Sequence, residues 1–426
     1  MAKLLIKGGR VIDPASGLDR VTDVLIANSI VRKVGDNQHA PEAETIDATG
    51  LVVAPGFIDM HVHLREPGFV HAETIETGAR AAAAGGFTTI CCMPNTSPVN
   101  DSALVTRYII ERAQRDAMVN VFPIGAITKG SQGEELASIG GMKRAGIVAI
   151  SDDGRPVMNS RVMRRAMETA AALDLPVIDH CEDLNLSAGG DMHEALRCVE
   201  LGLRGIPSCS EDVMVARDII LAEVTGARFH VAHLSTRGAV DMVKQAKQRG
   251  LPVTCEVSPH HFTLCDSEIV PYDSNFKMRP PIRCTHDVDA CLEGIIDGTV
   301  DALATDHAPH AGSEKMQEFE KCPFGILGLE TAIGLSFARL VNNGLIPLKR
   351  MIELYTTGPA NILKLNRGTL QAGSPGDVTI LDPGRTWHYE LGKSASKSRN
   401  SPFDGWKFQG GPTHTIVSGK IVWRAS

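Results

Sequence analysis

The sequence predicts an α/β protein, a (β/α)8 TIM barrel joined to a small β-sandwich domain that both chain ends build. Three observations predict it. The middle of the 426-residue chain alternates apolar strand-like runs with helix-like runs. Both ends are instead rich in short strands separated by glycine turns. And the strand-like runs of the middle repeatedly end in His or Asp.

The elements follow in chain order. Leu4-Leu5-Ile6, Gly8-Gly9 and Val11-Ile12 read as strand, turn, strand, and Val24-Leu25-Ile26 with Ile30-Val31 repeat the pattern across Ala27-Asn28-Ser29. The other end does the same with Val378-Thr379-Ile380-Leu381, Thr415-Ile416-Val417 and Ile421-Val422-Trp423. Chain ends usually lie close together, so residues 1–54 and 362–426 are assigned to one β domain. Residues 55–361 form the barrel. Its strands are expected at Phe57–His63, Thr88–Met93, Val119–Pro123, Ile147–Ser151, Pro176–His180, Phe229–His233, Pro252–Glu256 and Ala302–Asp306. Helices are expected between them, among them Thr77–Ala84, Ser102–Gln114, Ser160–Leu173, Glu211–Thr225, Ala239–Arg249 and His286–Asp297. An open doubly wound sheet is the competing architecture. It lacks support, because no Gly-x-Gly-x-x-Gly follows the first strand.

Composition narrows the function. Hydrophobic residues at 43% and charged residues at 22% suit a soluble globular enzyme. A net charge of -7 with scattered Lys and Arg argues against nucleic acid as a partner. No stretch approaches the ~20 apolar residues of a membrane span, and the first apolar run is too short for a secretory core. The ten cysteines contain no Cys-x-x-Cys pair, so they read as reduced thiols and the location as cytoplasmic.

The chemistry lies at the strand ends. Strand one ends in Asp59-Met60-His61-Val62-His63, and residues two apart on a strand share a face. Strand four leads into Asp152-Asp153-Gly154, strand five ends in His180, strand six in His233 and strand eight in Asp306. In a barrel these ends converge on one rim. Imidazole and carboxylate suit Zn²⁺ and similar ions. Four histidines and two aspartates exceed the needs of one tetrahedral ion and fit two ions bridged by a carboxylate. A lone His-x-His is more often structural; the weight lies in the joint pattern over five strands. His230, three before His233, is expected on the opposite face. His260 and His261 read as supporting or structural residues, and Cys181 and Cys255 as packing.

Longer blocks then carry a resemblance. Val53 to Gly68, reading Val-Ala-Pro-Gly-Phe-Ile-Asp-Met-His-Val-His-Leu-Arg-Glu-Pro-Gly, is the first. Met93-Pro94-Asn95-Thr96, Ser151-Asp152-Asp153-Gly154, His180-Cys181-Glu182, Ala232-His233-Leu234-Ser235, Thr305 to His310 and Pro323-Phe324-Gly325 follow. Over nearly its whole length the chain resembles the class I dihydroorotases of the amidohydrolase superfamily. The resemblance implies that His61, His63 and Asp306 hold one zinc ion and His180 and His233 a second, with Asp153 between them. The usual carboxylated Lys bridge has no counterpart in Ile147 to Ser151. It further implies substrate contacts from His63, Arg65, Asn95, His310 and the backbone at Phe324-Gly325. A guanidinium is a natural bidentate clamp for the carboxylate of dihydroorotate. Arg65 directly after His-x-His-Leu favours this family over hydantoinases, dihydropyrimidinases and allantoinases, although without the family it reads equally well as a rim salt bridge. One departure stands out: Arg279 occupies a position where the family usually has Asn, leaving open a second contact to the substrate carboxylate or an outward orientation.

The implied reaction is reversible hydrolysis of (S)-dihydroorotate to N-carbamoyl-L-aspartate in pyrimidine synthesis. Asp306 is the expected general acid/base, passing a proton from the attacking water to the ring nitrogen. Ala311–Lys321 reads as a polar loop over the site. Another cyclic-amide hydrolase and a non-catalytic partner of aspartate carbamoyltransferase are the alternatives. The filled ligand positions speak against the latter. A homo-oligomer or a complex with aspartate carbamoyltransferase stays open.

Overall fold

The computed structural model describes residues 3–36, 38 and 40–425. An eight-stranded sheet joins the two chain ends. In spatial order it runs Lys420–Arg424, Lys407–Val417, Val378–His388, Val52–Pro55, Lys3–Asp13, Leu18–Ala27 and Ile30–Gly35, with Glu44–Asp47 beside Lys3–Asp13. The join between ends is the antiparallel register Val378↔Pro55 to Leu381↔Val52. Alternation drives it: Leu4, Ile6, Val24, Ile26, Val53, Val378, Ile380 and Ile416 share a hydrophobic cluster of their own.

Gly56 hands the chain from this sheet to the central strands. Its N–H donates to Asp377 O (2.9 Å). A Cβ there would lie 2.2 Å from Thr88 Oγ1, so only glycine allows the approach.

The remaining long strands pair in parallel. Phe57–Val62 pairs with Phe87–Cys92, and that strand with Asn120–Pro123. Gly125 then bridges Ile150, and Ile150 bridges Val177. Val177–Asp179 pairs with Phe229–Val231, which pairs with Val253–Val257, which pairs with Ala302–Leu303. A parallel bridge from His307 to Val62 returns the series to its first member. Helices fill the connections, among them Ile75–Ala84, Ala103–Asp116, Ser160–Ala172, Cys209–Thr225, Arg237–Gln248 and Thr285–Asp297. They agree with the expected positions to within a few residues, because caps such as Thr74 and Thr236, whose hydroxyls accept from Thr77 N and Ala239 N, mark their starts.

Four expected strands are markedly shorter than the pattern suggested: Pro176–His180 is reduced to Val177–Asp179, Phe229–His233 to Phe229–Val231, Ala302–Asp306 to Ala302–Leu303, and Ile147–Ser151 to bridges at Ile150. Ile147–Ser151 bridges both neighbours at Ile150, with further backbone hydrogen bonds from Val148 N to Pro123 O (3.2 Å), Gly125 N to Ala149 O (3.0 Å) and Ser151 N to Gly125 O (2.9 Å). Just beyond, the Asp152 side chain accepts from Ile127 N (2.8 Å) and Thr128 N (3.1 Å). The eighth strand ends at Leu303, because Thr305 bonds to Asp59 instead. The sequence pattern also missed the short parallel pair Met192–His193 and Gly205–Ile206. All ten cysteines are free. Among the described residues no helix is long and apolar enough to cross a membrane.

Phe57, Phe87 and Tyr355 are fully buried, with ring centroids 5.5 to 6.5 Å apart. Removing one ring leaves a cavity its neighbours cannot close. Phe57→Ala is expected to cost about 3–5 kcal/mol. The loss would be read as a lower urea midpoint at an unchanged slope.

Candidate metal centre

Six side chains converge at the C-terminal ends of the parallel strands. His61 Nε2 lies 3.4 Å from Asp153 Oδ1 and 3.5 Å from Asp306 Oδ1. His63 Nε2 lies 3.1 Å from Asp306 Oδ1 and 3.5 Å from Asp153 Oδ2. His180 Nδ1 and His233 Nε2 are 3.0 Å apart, and lie 3.7 and 3.6 Å from Asp153 Oδ1. These spacings suit a divalent ion: tetrahedral zinc with ~2.0–2.1 Å bonds sets its ligand atoms about 3.4 Å from one another. The atoms form overlapping groups able to hold a metal: His61, His233 and Asp306; His61, His63 and Asp153; and Asp153, His180 and His233. All six residues are buried. His61 Nε2 and Asp153 Oδ1 have no hydrogen-bond partner among the described residues.

Electrostatics point the same way. Burial lowers the His180 pKa, but Asp153 and Glu182 outweigh it and push it up to about 10. His61 is likewise raised against its burial by Asp153 and Asp306. Burial raises the Asp153 pKa, yet the surrounding histidines hold it well below the usual carboxylate range. The cluster is built for positive charge, which protons or a divalent cation can supply.

Supporting groups orient the imidazoles. Glu256 Oε1 is 2.8 Å from His61 Nδ1, Asn95 Oδ1 is 2.9 Å from His63 Nδ1, and Glu182 Oε2 is 2.9 Å from His180 Nε2. Such partners fix ring orientation and raise ligand basicity. Asp59 is fully buried, which pushes its pKa up to about 7. It accepts from His61 N and Thr305 N, both at 3.1 Å, and from Thr305 Oγ1 at 2.5 Å. One carboxylate thus ties together the backbones that carry His61 and Asp306. Arg65, His233 and Asp306 all have positive φ, at 57°, 30° and 46°. Non-glycine residues hold that conformation only when their surroundings impose it.

A cleft of about 290 Å³ opens over the cluster, lined by Arg65, Asn95, Arg279, His310, Phe324 and Gly325 among others. Arg65 Nε donates to Pro309 O (3.0 Å), and its Nη2 lies 3.2 Å from His310 Nε2. That ring nitrogen also lies 2.7 Å from Phe324 O. Burial, with Arg65 and Lys315 close by, pushes the His310 pKa down to about 2, so the ring is neutral. Gly325 has φ 153°, and a Cβ there would lie 2.6 Å from Ala308 O. Its N–H donates to Lys277 O (2.9 Å), and its carbonyl accepts from Asn400 Nδ2 (3.0 Å) and Lys315 Nζ (3.2 Å). The Phe324 and Gly325 backbone groups named here therefore already have protein partners. Lys277, also buried, donates to Phe319 O (2.6 Å) and Glu320 O (3.1 Å). Two buried lysines thus pin the 311–325 loop beside the cleft.

The pattern of the Dihydro-orotase-like family matches residues 50–239. A dihydroorotase of Solibacter usitatus (strain Ellin6076) is 66% identical over 420 residues, covering 99% of this chain and 98% of its own. The chain belongs to the dihydroorotase family. A second family member, from Citrifermentans bemidjiense, is 53% identical over 423 residues, covering 99% of this chain and 100% of its own. Among solved structures, an L-hydantoinase (dihydropyrimidinase) from Arthrobacter aurescens superposes with a TM-score of 0.90 at 26% identity, covering 100% of this chain and 96% of that one. A D-hydantoinase (dihydropyrimidinase) from Thermus sp. gives 0.84 at 27%, covering 99% and 95%.

Within this dihydroorotase-family chain, several residues play parts that the sequence pattern did not suggest. His230, expected away from the ligand face, lies 3.3 Å from Glu256 Oε2 and so beneath His61. Burial raises the Glu256 pKa, but His230 and His61 outweigh it and keep the group ionised. Glu256 ends the expected strand Pro252–Glu256 and is the penultimate residue of the observed one, Val253–Val257, so the rule that found the other strand ends contained the signal. Asn95 faces the His and Asp cluster, with Nδ2 3.4 Å from Asp153 Oδ2. His261 Nε2 donates to Pro280 O (3.0 Å), in line with the structural role expected of it. Arg279 spends Nε and Nη2 on Glu182.

Proposed function

We propose that this chain is a zinc-dependent dihydroorotase, opening the ring amide of (S)-dihydroorotate to N-carbamoyl-L-aspartate and closing it in the reverse direction for pyrimidine synthesis. The observation that carries the reading is the juxtaposition of Arg65 with a converging set of four histidines and two aspartates. The 66% identity to the Solibacter usitatus dihydroorotase supports it across the whole chain. In this reading the ring of parallel strands is a (β/α)8 barrel over residues 55–361. Residues 1–54 and 362–426 form the small β-sandwich domain.

His61, His63 and Asp306 would hold one zinc ion, His180 and His233 a second, with Asp153 shared. Bound zinc supplies Lewis acidity, acidifying water and polarising the amide carbonyl. The chain's own residues do the rest. Arg65 clamps the substrate carboxylate through guanidinium nitrogens not engaged by Pro309 O. Asn95 keeps the His63 ring turned with Nε2 inward. His310, neutral, adds no charge beside Arg65. Asp306 accepts the proton of the attacking water and delivers it to the departing ring nitrogen. The 311–325 loop limits access of bulk water.

The test is a substrate panel on protein stripped by a chelator and reconstituted with zinc. Dihydroorotate is expected to turn over, and dihydrouracil, hydantoin and allantoin are not. Activity on the others but not on dihydroorotate would overturn the reading. Arg65→Gln is expected to raise the dihydroorotate KM about 10–100-fold, the value of a lost charge-assisted contact. An unchanged KM would take the carboxylate away from Arg65.

A further inference from the structure

The ion pair of Glu182 with Arg279 lies outside the ligand set but touches it. His180 comes just after the Val177–Asp179 strand, and Glu182 two residues later. With Glu182 Oε2 2.9 Å from His180 Nε2, the ring is turned so that Nδ1 faces His233 Nε2 (3.0 Å) and Asp153 (3.7 Å). The second carboxylate oxygen, Oε1, accepts from Arg279 Nε (2.9 Å) and Nη2 (2.5 Å). Arg279 Nη2 also donates to Ser187 Oγ (3.1 Å), and its guanidinium sits 5.1 Å from the Phe324 ring centroid. Glu182 is buried, so its hydrogen bonds are not exchanged for water.

The two sides of the centre are supported unequally. His61 and His63 each have a partner, in Glu256 and Asn95. On the other side, His233 Nδ1 has no partner among the described residues. His180 is therefore the one imidazole there that a side chain orients, and its support is held in turn by Arg279 from across the cleft.

We propose that Glu182 and Arg279 are positioning residues for the His180/His233 side, fixing the His180 ring with Nδ1 inward and so setting the affinity of that side alone. The proposal rests on the metal reading above. Glu182 supplies a charged acceptor that strengthens His180 as a ligand. Arg279 places two N–H groups on one oxygen of that acceptor, holds its rotamer and offsets its charge. Its Nε and Nη2 are thereby withdrawn from the substrate.

The experiment is calorimetric zinc titration of the metal-free full-length chain, with thermal melts of each metal-free variant. The wild type is expected to take up two ions. Glu182→Gln is expected to keep one at wild-type affinity and to bind the other about 10–100-fold more weakly. Arg279→Lys, which keeps the charge but not the paired N–H contact, is expected to weaken the same ion by less. At saturating zinc, Arg279→Lys is expected to keep the wild-type KM for dihydroorotate. A raised KM would instead put Arg279 on the substrate and overturn its positioning role. Unchanged affinities in Glu182→Gln, or equal weakening of both ions, would overturn the proposal while the metal reading stands. No zinc uptake by the wild type would overturn both.

Discussion

Asp306→Asn is expected to lower kcat by about 10²–10⁴-fold, the range of a positioned acid–base group, with the fold intact and much of the zinc retained. Asp306 Oδ1 lies 3.1 Å from His63 Nε2 and 3.5 Å from His61 Nε2. The residue sits at φ 46°, next to Thr305, which Asp59 holds. Asparagine preserves the size and one oxygen ligand but cannot take up a proton. Zinc content and steady-state kinetics on the same preparation separate the two roles. Turnover within tenfold of wild type would remove Asp306 as the proton carrier.

Asp153→Ala is expected to reduce both bound zinc and kcat/KM, the latter by more than about 10³-fold, because several kcal/mol of metal stabilisation is lost. Among the described residues, Asp153 is the one carboxylate within 3.7 Å of all four clustered histidines. The metal-free protein should change as well. His180 is raised from 6.5 to about 10 in the folded state, so its pairing stabilises fully below pH 6.5 and fades as pH rises through 10. Asp153 is lowered from 3.8, so its share is present above that pH and lost below it. The stability gap between metal-free wild type and Asp153→Ala is therefore expected to be widest between pH 3.8 and 6.5 and to shrink towards pH 10. Urea unfolding across that range measures it. A gap that widens with pH would contradict the charge pairing described above.

The candidate ligand set was legible for a simple reason. A parallel strand leaves a residue at its end pointing to a shared rim, so six dispersed His and Asp residues could be grouped without coordinates. The helices were legible from their periodicity and caps. Residues that act through another residue were not. Glu182, Glu256, His230 and Asp59 resemble any buried polar residue until the side chains they touch are known. Likewise nothing in Ile147 to Ser151 announces that Asp152 will draw hydrogen bonds from Ile127 and Thr128.

By itself the sequence determined the α/β alternation, the strand-rich ends, the candidate ligands and the family. These depend on local periodicity and on residue types at strand ends, which neighbours along the chain largely dictate. Tertiary structure alone decided which way each imidazole turns, that Arg279 meets Glu182, and that Lys277 and Lys315 pin the loop. Those outcomes depend on distances between residues far apart in the chain, such as the 97 positions between Glu182 and Arg279. A buried charge settles on whichever partner the fold brings within hydrogen-bond reach, and no local pattern encodes that choice.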